Sequence, residues 1–212
     1  MDNLIKKGLR LEYFTVIYNI LEAIASILFG YLAGSIALVG FGLDSIVESL
    51  SGFVLIWRLG KYKIISKEEE EKIEKKAIKF VAITFFILGL YISIESIKKL
   101  YLKEIPDTSL PGIIISIVSL IIMPILAYKK FKVGKEIGSR ALVADSKETM
   151  ACTFLSFTLF FGLGANYLFG FWQADPITGL IIVLFLFKEG YELLFEKSNE
   201  ESCEEKINKG ES

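Results

Sequence analysis

The sequence predicts an all-α membrane protein of six transmembrane helices. Three observations carry that expectation. Of the 212 residues, 53% are hydrophobic and the mean hydropathy is +0.52, above the roughly 45–50% apolar content of a soluble domain. The Lys, Arg, Asp and Glu residues fall mostly between long apolar runs. Six such runs are present, each close to the roughly 20 residues that cross a bilayer as a helix, the only open-chain form that satisfies its own backbone in lipid.

The runs lie at residues 13–33, 36–57, 79–100, 111–128, 141–165 and 176–195. The first follows the polar stretch MDNLIKKGLRLE and is too long for a cleavable signal core, so it reads as a retained span. In the second, Gly40 and Gly42, like Gly30 and Gly34 before them, suit close helix contact. The loop SKEEEEKIEKKAIK has Ser66 as a helix cap, acids first and bases last, the charge order that a helix dipole favours, and reads as a helical link into the third span. Asp175 before Pro176 reads as the start of the sixth helix. Residues 1–196 then form one six-helix transmembrane domain, and residues 197–212, acidic and poor in apolar residues, form a disordered tail in which Cys203 is an incidental thiol. Loops on the side of the termini carry twenty Lys and Arg residues against three on the other side. Positive charge is retained inside, so both termini are expected in the cytoplasm of a multi-pass protein of the cell membrane.

The composition also excludes function classes. A formal charge of -1 without a basic stripe argues against a nucleic-acid partner. The chain has no histidine, which removes His-based triads and His-ligated metals, and its two cysteines make no disulfide framework. No nucleophile motif, phosphate loop or cofactor motif accompanies the carboxylates, so neither an enzyme nor a cofactor is expected.

The charges inside the spans point to function, because each costs at least about 2.5–3.5 kcal/mol to insert. Asp44 and Glu48 in the second span are four apart and share a helical face. Asp145, Glu148 and Cys152 in the fifth fall at i, i+3 and i+7, again on one face. At 1.5 Å per residue, Asp44 and Glu48 lie about 12 and 18 Å from the outside and Glu148 and Cys152 about 20 and 14 Å, so the two pairs come level near the midplane. Three carboxylates and a thiol at one buried point need a divalent cation or protons to neutralise them. Such donors accept Zn2+, Cd2+ or Co2+, and Mn2+ or Fe2+ more weakly. Metal and protons compete for the same atoms, so a site opening to each side in turn would act as a metal/proton antiporter. Glu22, in the middle of the first span, suits a supporting or proton-relay role or an ion pair. Asp145 suits the cytoplasmic mouth, a relay or the first turn of the fifth helix. Lys147 reads as the one base deep in a span, either a counter-charge for the empty site or a structural partner of the acids. Glu95, beside Lys98 and Lys99, reads as snorkelling to the interface.

The stretches GSIALVGFGLDSIVESLSG followed by WRL, then ADSKETMAC, GFWQADP and KEG, resemble the cation diffusion facilitator family of metal exporters. The likeness covers roughly residues 11–196 and is strongest for a compact branch related to a vesicular zinc-binding membrane protein. It implies a cation-efflux-type domain of six helices, a homodimer, and a transported divalent metal such as Zn2+ held between the second and fifth helices. It places the metal ligands on Asp44, Glu48, Glu148 and Cys152, with Asp145 in the preceding AD. This sequence departs from the family at Glu148, where the family carries histidine or aspartate, and at Cys152, where it carries aspartate. The family's cytoplasmic domain is expected to be missing after Phe195. The same residues would also serve a membrane zinc-binding or regulatory partner protein that does not transport.

Overall fold

The computed structural model describes residues 2–60 and 67–208, with side chains over 3–60, 79, 82–139, 141–192 and 194. Six helices follow one another: α1 (Asp2–Ala33), α2 (Ile36–Gly60), α3 (Lys67–Leu102), α4 (Leu110–Ile137), α5 (Arg140–Phe169) and α6 (Ala174–Asn208). The expectation of an all-α, six-helix domain is met, and the helices run past the apolar segments at several ends. Four of them, α1, α2, α4 and α5, are long and apolar enough to cross a membrane. In α3 and α6 the charges Glu95, Lys98 and Lys99, and Asp175, Lys188 and Glu189, flank shorter uncharged stretches. The tail expected to be disordered from residue 197 is instead helical as far as Asn208, as a continuation of α6; Ser66, residues 209–212 and the side chain of Cys203 lie outside the described residues.

Sharp, short turns reverse the chain between α1 and α2, α4 and α5, and α5 and α6, so those neighbours pack antiparallel. Gly34 makes the first turn in the left-handed region at φ 61°, which glycine adopts without steric cost. Its role is therefore the turn rather than close helix packing. Gly42 does serve packing: a Cβ there would meet Ser26 Cβ at 2.9 Å and the Ala23 carbonyl at 3.1 Å. Pairs α1 and α2, α4 and α5, and α3 and α6 pack most extensively.

Hydrogen bonds fix the two ends of the bundle. At one, Asp107 N donates to Ala33 O at 2.8 Å, Asn166 Nδ2 donates to Pro106 O at 3.3 Å, and Asp175 accepts from Ser35 Oγ and, at 3.0 Å, from Ile36 N. Asp175 thus stands at the start of α6, as expected, but its carboxylate satisfies orphan donors at the N-terminus of α2. At the opposite end Lys130 of α4 joins Glu12 of α1 and Asp145 of α5. These ends are called below the Asp175 end and the Lys130 end.

The interior is apolar at its centre, with Leu38, Phe41, Ile92, Met123, Leu159, Ile182 and Leu186 in one cluster. Large apolar side chains also cover the outside. Ile17, Leu21, Ile24 and Leu28 on α1 and Ile83, Ile87, Leu90, Ile94 and Ile97 on α3 are exposed at helical spacing. Apolar faces both inward and outward mark a bundle made for lipid.

Candidate cation site

The second and fifth helices bring acids of each to one cavity. Asp44, Glu48, Glu148 and Cys152 all line one cavity of about 20 Å³, with Val47 and Ser51 of α2, Phe85 of α3, Ala151 and Leu155 of α5, and Phe185 and Glu189 of α6. That is room for one water or one bare cation. Asp44 and Glu48 are 7% and 6% exposed, and Cys152 is 2% exposed. Among the described residues no three carboxylate or thiol groups are close enough to enclose a metal ion, so the donors line the cavity without clasping its centre.

Each helix holds its acid from a neighbour. Ser51 Oγ on α2 donates to Glu148 Oε2 on α5 at 3.0 Å, and Thr149 Oγ1 on α5 lies 2.9 Å from Glu48 Oε1 on α2. Glu48 Oε2 is buried with no hydrogen-bond partner. A buried carboxylate oxygen left unpaired is costly, and a cation or a proton would satisfy it.

The supporting residues divide differently from expectation. Glu22 is buried behind the cavity, accepting from Tyr18 Oη at 3.0 Å and from Ser45 Oγ at 2.9 Å, and so is tied by hydroxyls to the residue after Asp44. Asp145 does not line the cavity; it sits 2.5 Å from Lys130 Nζ. Lys147 is exposed on α5, so it is neither the deep base nor the partner of Asp44 and Glu48. The reason is helical phase: Asp145, Glu148 and Thr149 occupy the inward stripe of α5, and position 147 falls outside it. Glu95 pairs with Lys98 at 3.4 Å, both partly exposed.

Sequence reasoning missed three residues. Lys130 was counted among loop charges, yet α4 continues to Ile137 and buries Lys130 completely. Its signal was the stripe Met123, Leu126, Ala127, Lys130, Val133, on which the lysine falls in register. Glu12, also fully buried, lies 3.2 Å from Lys130 and precedes the inward positions Val16, Asn19 and Ala23 by helical steps. Glu189 follows Ile182 and Phe185 on the inward stripe of α6.

The comparisons agree with this architecture. A family model described as the cation efflux transmembrane domain matches residues 13–200. The chain is 24% identical over 196 residues to Transmembrane protein 163 of Xenopus laevis, covering 92% of this chain and 69% of that protein. It is 23% identical over 186 residues to an uncharacterized transporter of Methanocaldococcus jannaschii, covering 84% of this chain and 64% of the relative. It is also 27% identical over 160 residues to Protein p34 of Rickettsia prowazekii, covering 74% and 52%. The chain thus spans about half to two thirds of the length of these relatives. With apolar helices of membrane-crossing length, inward acids on α2 and α5, and a family match over most of its length, the chain belongs to the cation efflux family and is a multi-pass membrane protein.

Proposed function

We propose that this protein exports a divalent metal cation in exchange for protons, through the cavity between α2 and α5. The observation that carries the reading is the convergence of buried Asp44, Glu48 and Cys152 with half-buried Glu148 on one cavity. Carboxylates buried together in low dielectric demand a cation or protons, and a site that exchanges one for the other between its two open states couples their movements. The unpartnered Oε2 of Glu48 supports the cation half of that cycle. The cavity reaches from the level of Asp44 toward the Lys130 end, the end on which positive charge concentrates. On the positive-inside rule that end faces the cytoplasm, with both termini, and the cell membrane is the proposed location. A homodimer is the proposed assembly.

The donors are a thiol and oxygens, without imidazole. A thiolate favours Zn2+ and Cd2+, and carboxylates admit Mn2+ and Fe2+. Equilibrium binding of Zn2+ and Cd2+ to the purified full chain tests the reading. The wild type is expected to bind one ion per chain, and Asp44→Asn and Glu48→Gln, folded as judged by size-exclusion profile, are expected to lose that ion. Unchanged binding in both variants contradicts it.

A further inference from the structure

The cluster at the Lys130 end sets two carboxylates against one lysine. Asp145 Oδ2 of α5 accepts a hydrogen bond from Lys130 Nζ of α4 at 2.5 Å. Glu12 Oε2 of α1 lies 3.2 Å from the same nitrogen but out of line for a hydrogen bond. Both oxygens of Glu12 and Oδ1 of Asp145 are buried with no hydrogen-bond partner. Glu12 and Lys130 are 0% exposed and Asp145 is 4% exposed, so solvent does not screen the excess negative charge, which is costly to hold in such a place. The surroundings add no compensation among the described residues. On the α2 side Glu12 faces Gly52, where a Cβ would stand 3.7 Å from Oε2, and the α2 charge that acts on Lys130, that of Glu48, belongs to another acid. Arg10 of α1, Lys129 and Lys132 of α4 and Lys147 of α5 are exposed. Two carboxylates are too few to enclose a metal ion, and the ammonium group already stands against both. Glu12 and Asp145 are, however, within hydrogen-bonding reach of each other, and two carboxyl groups make that bond only when one of them carries a proton.

We propose that Glu12 is a proton-binding site of its own: one proton, held between Glu12 and Asp145 beside Lys130, balances the charge of the cluster at a place separate from the cavity between α2 and α5. With that proton the account of charges closes, since Lys130 answers Asp145 and the proton answers Glu12, and the unpartnered carboxyl oxygens gain the hydrogen bond they lack. The inference goes beyond the reading of the cavity and stands whether or not the cavity takes a cation. The two places meet at one side chain, because Thr149 Oγ1 lies 3.3 Å from Lys130 Nζ and 2.9 Å from Glu48 Oε1. Where the cavity exchanges metal as proposed above, a proton is then carried on atoms that the metal does not touch, and the hydroxyl of Thr149 links the charge of the cluster to Glu48.

The test is the unfolding equilibrium of the purified full chain in detergent, without added metal, from about pH 5 to 8, for wild type, Glu12→Gln and Asp145→Asn. A proton bound by the folded chain and not by the unfolded one makes stability fall as pH rises, by up to about tenfold in the folding constant per pH unit for a single proton. Gln is a neutral stand-in for the protonated acid, so Glu12→Gln is expected to be at least as stable as wild type at pH 8 and to lose up to that one-proton slope. Asp145→Asn leaves one carboxylate for one lysine, so no proton is needed. It is expected to lose the same slope whatever its absolute stability, and it carries the test should Glu12→Gln not fold. The remaining buried acids contribute equally to all three proteins and cancel in the comparison. A slope unchanged from wild type in the variants that fold would mark the cluster as a fully charged structural triad and overturn the proposal. Because no metal is present, a failure of the cavity to bind a cation leaves this result untouched, and the two readings fail separately.

Discussion

Thr149 Oγ1 lies 2.9 Å from Glu48 Oε1 and thereby ties the central acid of α2 to α5. The same hydroxyl is 3.3 Å from Lys130 Nζ, so the buried ion cluster and the cavity share a single side chain. The lysine donates to the hydroxyl, whose own proton has both Glu48 Oε1 and, at 3.1 Å, the Asp145 carbonyl within reach. One carboxylate oxygen of Glu48 thus lies against Thr149, and the other is buried with no hydrogen-bond partner.

Replacing that hydroxyl should loosen Glu48 without emptying the core. Partners that orient a metal ligand typically contribute 10- to 100-fold in affinity. Thr149→Val, which keeps the shape and removes the hydroxyl, is expected to lower metal affinity by about tenfold, and Thr149→Ser to restore it. Titration of metal into the purified variants measures both.

Lys130 pairs with two carboxylates in a place that water does not reach. Breaking a buried ion pair from one side leaves an uncompensated charge and costs about 3–5 kcal/mol. Lys130→Met should therefore depress the thermal unfolding midpoint in detergent strongly. Adding Glu12→Gln and Asp145→Asn to it should recover much of the loss. A single variant as stable as wild type would mean that the cluster does not hold α1, α4 and α5 together.

Asp175 accepts two hydrogen bonds at the start of α2, from Ser35 Oγ and Ile36 N. Asp175→Ala strands both donors and removes a negative charge from a helix N-terminus. A loss of about 1–3 kcal/mol follows, with the metal-binding constant retained because the cavity lies several turns away. Unfolding and metal titration on the same preparation separate the two effects.

The thiol decides between metals more than it decides whether one binds. Cys152→Ser puts a neutral hydroxyl where a thiolate could form, and is expected to reduce Cd2+ affinity by tenfold or more while reducing Mn2+ affinity far less, as ligand softness requires. Equal loss of both would contradict a thiol ligand.

Much of this was legible because membrane insertion penalises charge so heavily that Asp44, Glu48, Glu148 and Cys152 stand out by type, spacing and depth. Helix number followed from run length, although only four of the six helices are long and apolar enough to cross a membrane, Asp175, Lys188 and Glu189 making the sixth run less distinct than the fourth. What stayed hidden depended on where helices end. Lys130 sits in the basic stretch YKKFK, which reads as a loop until α4 is seen to continue through it. Lys147 was misplaced for the complementary reason: it is deep in sequence but out of phase with the inward face of α5. Glu12 and Glu189, each close to an end of an apolar run, needed the packing of α1 and α6 to show that they turn inward.

The most direct test of the account is uptake of Zn2+, Cd2+ and Mn2+ into inside-out vesicles with an imposed pH gradient, acid inside, for wild type beside Asp44→Ala at matched expression. The account predicts metal accumulation in the wild type that collapses when the gradient is dissipated and is lost in the variant. Accumulation that is indifferent to the gradient, or equal in the two proteins, would contradict exchange of metal for protons at this cavity.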